Sequence, residues 1–373
     1  MAFRPHSLPF SVWPSIHQER WTKATQAGGL FKPSGRAAHW RPASIRKTSK
    51  GWGFYLYWNI EEGYPIQELP PEDIVTRERV DAYLTDVEET TTGWTPYNRA
   101  QELYDAVRVM SPHLHTSTWE WLKICFENLR LEAIPSRNKF ERIKMAWQVE
   151  ALGLDLMKLA ETLPDISRKN PHGVTKLERA LLYRDGIAIV TMIRRPFRIK
   201  NFASIRIGQH LFIEQGCGAL AFSAKETKGK RSVEAPLAPH LVDGLLHYIH
   251  KYRQILLTTS GKAKHITTDK LWISRDGTEL AEGSLHNVFR RRTEEAFGKP
   301  IPPHWFRDID VTTLVRHNPE DARITGSILG HSDPEIANRH YNHALHIDAA
   351  KRHVDTLAEW LDTPQTPLTY GSL

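Results

Sequence analysis

Apolar residues recur along this chain with a period that changes past its middle. From Pro42 to about residue 160 the period is helical. The run TRERVDAYLTDV (76–87) sets Val80, Tyr83, Leu84 and Val87 at i, i+3, i+4, i+7 spacing, one apolar stripe along a helix. Thr76 is placed to cap it, although Arg79 is not the acidic partner a capping box needs. In SIRKTSKGWGFYLYWNI, Ile45, Trp52, Tyr55 and Leu56 fall near helical spacing despite Gly51 and Gly53. Its aromatic half (Trp52, Phe54, Tyr55, Trp58) reads as core packing, and Arg46, Lys47 and Lys50 lie on the polar side, where they can meet phosphate. Residues 97–110, 117–133 and 136–160 predict further helices. Residues 1–38 scatter Pro, Gly and basic side chains without a period and read as an irregular arm with one short helix near 16–26.

LPDISRKNPHGVT (163–175) interrupts the pattern with Pro164, Pro171 and Gly173 and is the best linker in the chain. It marks the expected boundary between a helical domain over 39–162 and a mixed domain over 176–362. The second domain opens with a strongly apolar helix, 176–193. Strands follow at 205–213, 218–223 and 233–237, with the basic turn KETKGKRS before the last. A helix over 239–257 comes next, then a short LWIS strand (271–274) before the Asp276-Gly277 turn signal. Helices are predicted at 284–297, 305–317, 320–329, 334–341 and 344–362, the last with Ile347, Val354, Leu357 and Leu361 on one stripe. Residues 363–373 read as a disordered tail. The expected fold class is mainly α with a small β-sheet.

Composition narrows the partner. Of 373 residues 40% are hydrophobic and 25% charged, which supplies real cores and excludes global disorder. The net charge of +7 suits a polyanionic partner. Cys125 and Cys217 are the only cysteines and lie far apart, so neither a zinc site nor a disulfide framework is expected, in keeping with a reducing compartment. No apolar run is long enough to span a bilayer and the first residues carry no signal-peptide core, so a soluble cytoplasmic protein is expected.

The stretch 304–341, HWFRDIDVTTLVRHNPEDARITGSILGHSDPEIANRHY, concentrates groups that bind or attack phosphate: His304, Arg307, His331 and Tyr341. Breaking a DNA strand without a metal needs just such a set. A nucleophile attacks phosphorus in line, cations hold the non-bridging oxygens, and an acid protonates the departing 5′ oxygen. A tyrosine hydroxyl can attack and store the bond energy as a phosphotyrosine ester. His304 and Arg307 stand three residues apart, one helical turn, so both can face one phosphate.

The HxxR pair, then Leu329-Gly330-His331, then Tyr341 ten residues on, resembles the C-terminal boxes of the tyrosine recombinases, or phage-type integrases. That resemblance implies an upstream arginine at a helix start. In RRPFRIKNFASIRIGQHL the best match is Arg198, with Asn201 where the family usually has an acid; Arg194 and Arg195 are rivals. It also implies a β-turn lysine shortly before a Pro-Leu pair: Lys228, eight residues before Pro236, with Lys225 and Lys230 as alternatives. Past Arg307 the chain departs from the family box, with Asp308, Ile309 and Asp310 before Thr312 rejoins it; Asp308 is placed to pair with Arg307. Tyr370 is a distant rival nucleophile.

The implied architecture is a helical core-binding domain and a mixed α+β catalytic domain closing around duplex DNA. The implied activity is site-specific strand exchange through 3′-phosphotyrosine intermediates, without metal or nucleotide cofactor, by a homo-tetramer on DNA; the resemblance favours a last helix that docks into a neighbouring protomer, with docking on its own domain as the alternative. A DNA-binding member that has lost cleavage and a type IB topoisomerase are the alternative readings.

Overall fold

The computed structural model describes residues 6–133, 144–168, 170–227, 229–259 and 267–317, and its packing divides the chain between Asn138 and Lys139 into two compact units. The helices expected at 320–329, 334–341 and 344–362 lie outside the described residues, as do Lys228, His331 and Tyr341.

The first unit is built from helices α1 (Ser15–Thr25), α2 (Pro42–Glu61), α3 (Pro71–Ile74), α4 (Arg77–Thr90), α5 (Thr95–Met110) and α6 (Glu120–Glu132). The stripe on α4 is buried as its spacing requires, and Thr76 caps the helix by accepting from the Arg79 amide at 3.3 Å. The aromatic half of α2 is core: Trp52, Tyr55 and Trp58 are buried, Tyr55 stacks on Trp58 with centroids 6.1 Å apart, and Tyr83 of α4 meets Tyr55 edge-on at 5.2 Å. Each such fully buried side chain contributes roughly 1.5–3 kcal/mol from area alone. Gly51 costs α2 helix propensity but admits α5, because a Cβ there would fall 2.3 Å from a Glu102 carboxylate oxygen.

The second unit winds around α8 (Lys176–Arg194), most of which is buried. α8 starts with a reciprocal cap: the Glu178 amide donates to the Thr175 hydroxyl at 3.1 Å, and the Thr175 amide donates to the Glu178 carboxylate at 2.8 Å. α7 (Ala146–Thr162) lies along α8 so closely that a Cβ on Gly186 would fall 2.5 Å from the Gly153 carbonyl oxygen. After α8 come the short α9 (Ile199–Ser204) and the strands β1 (Leu211–Glu214), β2 (Cys217–Phe222) and β3 (Val233–Leu237). They form one antiparallel sheet in the order β1-β2-β3. Gln215 and Gly216, at φ +49° and +79°, make the two-residue β1–β2 turn that right-handed strand twist favours. The unit continues through α10 (Pro239–His247), a wider π turn over Tyr248–Tyr252, α11 (Arg253–Thr259), α12 (Glu282–Phe297) and α13 (Pro303–His317).

Three expectations change. The segment 163–175 is an internal connection of the second unit, in which the Ile166 amide donates to the Val174 carbonyl at 3.1 Å and Arg179 donates to the Leu163 carbonyl at 2.7 Å. α7 therefore packs with the second unit instead of the helical domain over 39–162. The strand expected at 205–213 begins only at Leu211, because Gly208 turns the chain at φ +80° and residues 205–207 pair with 269–271 instead. The 271–274 stretch forms one isolated bridge, Ile273 with Glu279 across the Gly277 turn, and no longer strand.

Candidate active site

The cavity that concerns phosphate chemistry opens where α8 ends. The chain leaves α8 at Arg194, makes a tight turn in which the Phe197 amide donates to the Arg195 carbonyl at 2.8 Å, and re-enters a helix with Arg198 at the N-cap of α9. Asn201 is buried in the first turn of α9. Across from this link, α13 begins on Pro303, whose missing N–H costs nothing at a helix start, and buries Trp305, Phe306 and Ile309. That burial turns Arg307 toward the link, where its Nη1 donates to the Pro196 carbonyl at 2.7 Å.

Arg198 and Arg307, one expected from each end of the catalytic stretch, line one cavity of about 250 Å³. Its walls include Phe197, Phe222 and Pro236, and the β2–β3 turn contributes Thr227, Gly229 and Arg231. Thus both described neighbours of Lys228 border the cavity, while the rivals Lys225 and Lys230 do not line it. His304 is exposed at the start of α13, edge-on to Trp305 at 6.1 Å, and does not line the cavity.

The arginines of this corner differ in what they hold. Arg194 pairs with Glu150 of α7. Arg195 donates through Nε and Nη2 to the Pro236 carbonyl, at 2.8 and 2.5 Å, and so ties the end of α8 to β3. Among the described residues the Arg198 guanidinium has no hydrogen-bond partner. Burial, and next the Arg198 charge, pull Arg307 down to about 10, against the opposing effect of Asp308 and Asp310. Arg307 stays protonated at neutral pH even so. Asp310 is pushed up to about 6 by burial, with Arg195 and Arg307 holding it lower than burial alone would. The acidic departures after Arg307 therefore act on its guanidinium through charge.

Sequence reasoning missed Arg231 as a lining residue. It sits in a run of basic residues, and only the fold of the turn separates it from Lys225 and Lys230. No cluster of three or more metal-ligating side chains occurs among the described residues, and no helix among them is long and apolar enough to cross a membrane.

No protein-family model and no curated protein sequence matches the chain. Among solved structures it is similar to the XerH site-specific recombinase bound to difH substrate in a pre-cleavage complex, with a TM-score of 0.52 and 14% identity over 83% of this chain and 79% of that one. It is similar to a lambda integrase(75–356) dimer bound to a COC′ core site, with a TM-score of 0.50 and 14% identity over 82% of this chain and 90% of that one. The Tn1549 transposon integrase in complex with circular intermediate DNA gives a TM-score of 0.50 and 12% identity over 88% of this chain and 95% of that one. The fold is that of the tyrosine recombinases.

Proposed function

We propose that this chain is a site-specific DNA recombinase that breaks and rejoins strands through a 3′-phosphotyrosine ester. The observation that carries the reading is the meeting of Arg198 and Arg307 on one cavity bordered by both neighbours of Lys228. Two fixed cations on an apolar floor are suited to an anion whose charge grows in the transition state, since their donors need no reorganisation when it does. The Arg198 guanidinium, which has no hydrogen-bond partner among the described residues, favours Arg198 as the upstream phosphate ligand over Arg194 and Arg195, which are committed to Glu150 and Pro236.

In this reading the Tyr341 oxygen forms a bond to phosphorus as the bond from phosphorus to the 5′ oxygen breaks. The phenol proton passes to an imidazole, His304 or His331, and the leaving 5′ oxygen takes a proton from the Lys228 ammonium. Arg198 and Arg307 hold the two non-bridging oxygens. Attack by the freed 5′ hydroxyl of a second duplex reverses these steps and joins new partners. Strand exchange uses four such sites, so the working form is a homo-tetramer on double-stranded DNA. Of the similar structures, one holds a difH substrate, one a COC′ core site and one circular intermediate DNA, in keeping with that partner.

The test is covalent trapping on a nicked suicide duplex carrying the protein's own site. The wild-type chain is expected to form a protein–DNA adduct, and Tyr341→Phe to abolish it while binding DNA normally. Adducts that persist in Tyr341→Phe and vanish in Tyr370→Phe would move the nucleophile. DNA binding without any adduct from the wild-type chain would reduce the protein to a binder.

A further inference from the structure

We propose that His210 and Glu226 are positioning residues that brace the β2–β3 turn and so deliver Lys228 to the cavity lined by Arg198 and Arg307. The inference rests on the reading of Lys228 as proton donor. A surface turn of this kind is ordinarily mobile. A lysine carried on it protonates a leaving oxygen efficiently only if the backbone beneath it is held in place.

The turn is pinned at both ends. At its entry, Glu226 folds back and accepts from the Ser223 amide at 2.9 Å and the Ser223 hydroxyl at 2.6 Å. Its other carboxylate oxygen lies 2.8 Å from His210 Nε2. The Arg206 amide donates to His210 Nδ1 at 3.1 Å, so the ring proton is on Nε2 and the neutral imidazole donates to Glu226. The His210 bond first, and the Ser223 bonds after it, hold the Glu226 carboxyl down at about 2, so the acceptor stays ionised across the working range. At the exit, the Thr227 hydroxyl donates to the Arg231 carbonyl at 2.6 Å and accepts from the Arg231 amide at 3.1 Å. In the sequence Lys228 is the next residue after Thr227.

The brace also reaches the cavity wall. His210 is 3% exposed and stacks on Phe222 with centroids 5.0 Å apart, and Phe222 meets Phe197 at 5.1 Å. Both phenyl rings line the cavity. An imidazole buried under an exposed turn adds less to the core than an apolar side chain of its size. Its bond to Glu226 is what an apolar residue could not supply.

The experiment compares full-length wild type, Lys228→Ala, Glu226→Ala and the milder Ser223→Ala on two suicide duplexes. One has the ordinary scissile phosphate, and the other has sulfur in place of the bridging 5′ oxygen. A thiol ionises near about 8.5, far below an alcohol, so a sulfur leaving group needs no proton donor. Lys228→Ala is expected to cleave the oxygen duplex slowly and the sulfur duplex at the wild-type rate. Glu226→Ala is expected to lose at least about tenfold on the oxygen duplex, within the usual range for general acid catalysis, and to recover on sulfur with unchanged DNA affinity. Ser223→Ala, which removes one bond of the brace, is expected to fall between the two. Equal slowing of Glu226→Ala and Ser223→Ala on both duplexes, or no slowing on either, overturns the brace while leaving Lys228 as the acid. Failure of sulfur to rescue Lys228→Ala removes the assignment of Lys228 itself, and the brace with it.

Discussion

Replacing Arg307 by alanine is the sharpest perturbation of the proposed site, because it has two separable consequences. Chemically it removes one of two cations from the developing charge on phosphorus. Loss of one such preorganised donor lowers a rate by about a hundredfold to a thousandfold, equivalent to about 2.7–4 kcal/mol of barrier. Structurally it leaves the buried Pro196 carbonyl without its 2.7 Å partner. An unsatisfied buried acceptor costs about 1–3 kcal/mol of stability. The lower end applies here, because removing Arg307 also relieves its repulsion with Arg198. Single-turnover adduct formation at saturating protein isolates the first effect, and urea midpoints isolate the second. Arg307→Lys keeps the charge, but one ammonium cannot reproduce a planar fork that holds Pro196 and a phosphate together, so its rate should lie between alanine and wild type. Arg198→Ala should lose rate as Arg307→Ala does, with little change in stability, since its guanidinium holds no described partner. Arg195→Ala should lose stability more than rate, through the Pro236 bonds. A folded Arg307→Ala that cleaves within about threefold of wild type would refute the clamp, because no transition-state donor is worth so little. If Arg195→Ala abolishes cleavage and Arg198→Ala does not, the upstream arginine lies one turn earlier.

Two further outcomes follow from charge. Duplex affinity should fall with added salt, log affinity against log salt having a slope of about −0.9 per phosphate neutralised, and a nearly flat plot in a filter-binding titration would remove DNA backbone contacts as the basis of binding. Asp310 titrates at about 6 in the fold against 3.8 unperturbed, so above pH 6 its buried charge is a cost that the unfolded chain does not bear. As pH falls through 6 toward 3.8 the folded state takes up the proton first and that cost disappears. Asp310→Asn should therefore raise the urea midpoint at pH 7.5 and lose its advantage near pH 4; an advantage that grows on acidification would reverse the assignment.

Much of the second unit was legible in the chain because its signals are local. The α8 run is long and apolar, and the basic turn before Pro236 falls between paired strands as its composition suggests. What escaped sequence reasoning depends on pairs of distant residues. The place of α7 was set by Gly153 against Gly186, a close approach that a hydrophobic period cannot register. The start of β1 was set by the positive φ of Gly208, an isolated glycine inside an otherwise strand-like run. Arg231 became a lining residue only once the turn had closed around Thr227.

The arginines near the end of α8 show how geometry adds to a motif. Spacing alone ranked Arg198 above Arg194 and Arg195, but all three are cations within five residues of sequence. The fold gives them different work. Arg194 fastens α8 to Glu150 on α7, and Arg195 fastens the same helix end to the carbonyl of Pro236 on β3. Together they hold the link 195–198 from two sides, and Arg307 holds it from a third through Pro196. A guanidinium whose fork is already turned onto a carbonyl or a carboxylate has fewer of its five donors left for a phosphate. Arg198, at the end of the link so braced, has none of its donors committed among the described residues. The rival arginines are thus what keeps Arg198 in place, and substituting them should misplace a phosphate ligand and not remove one.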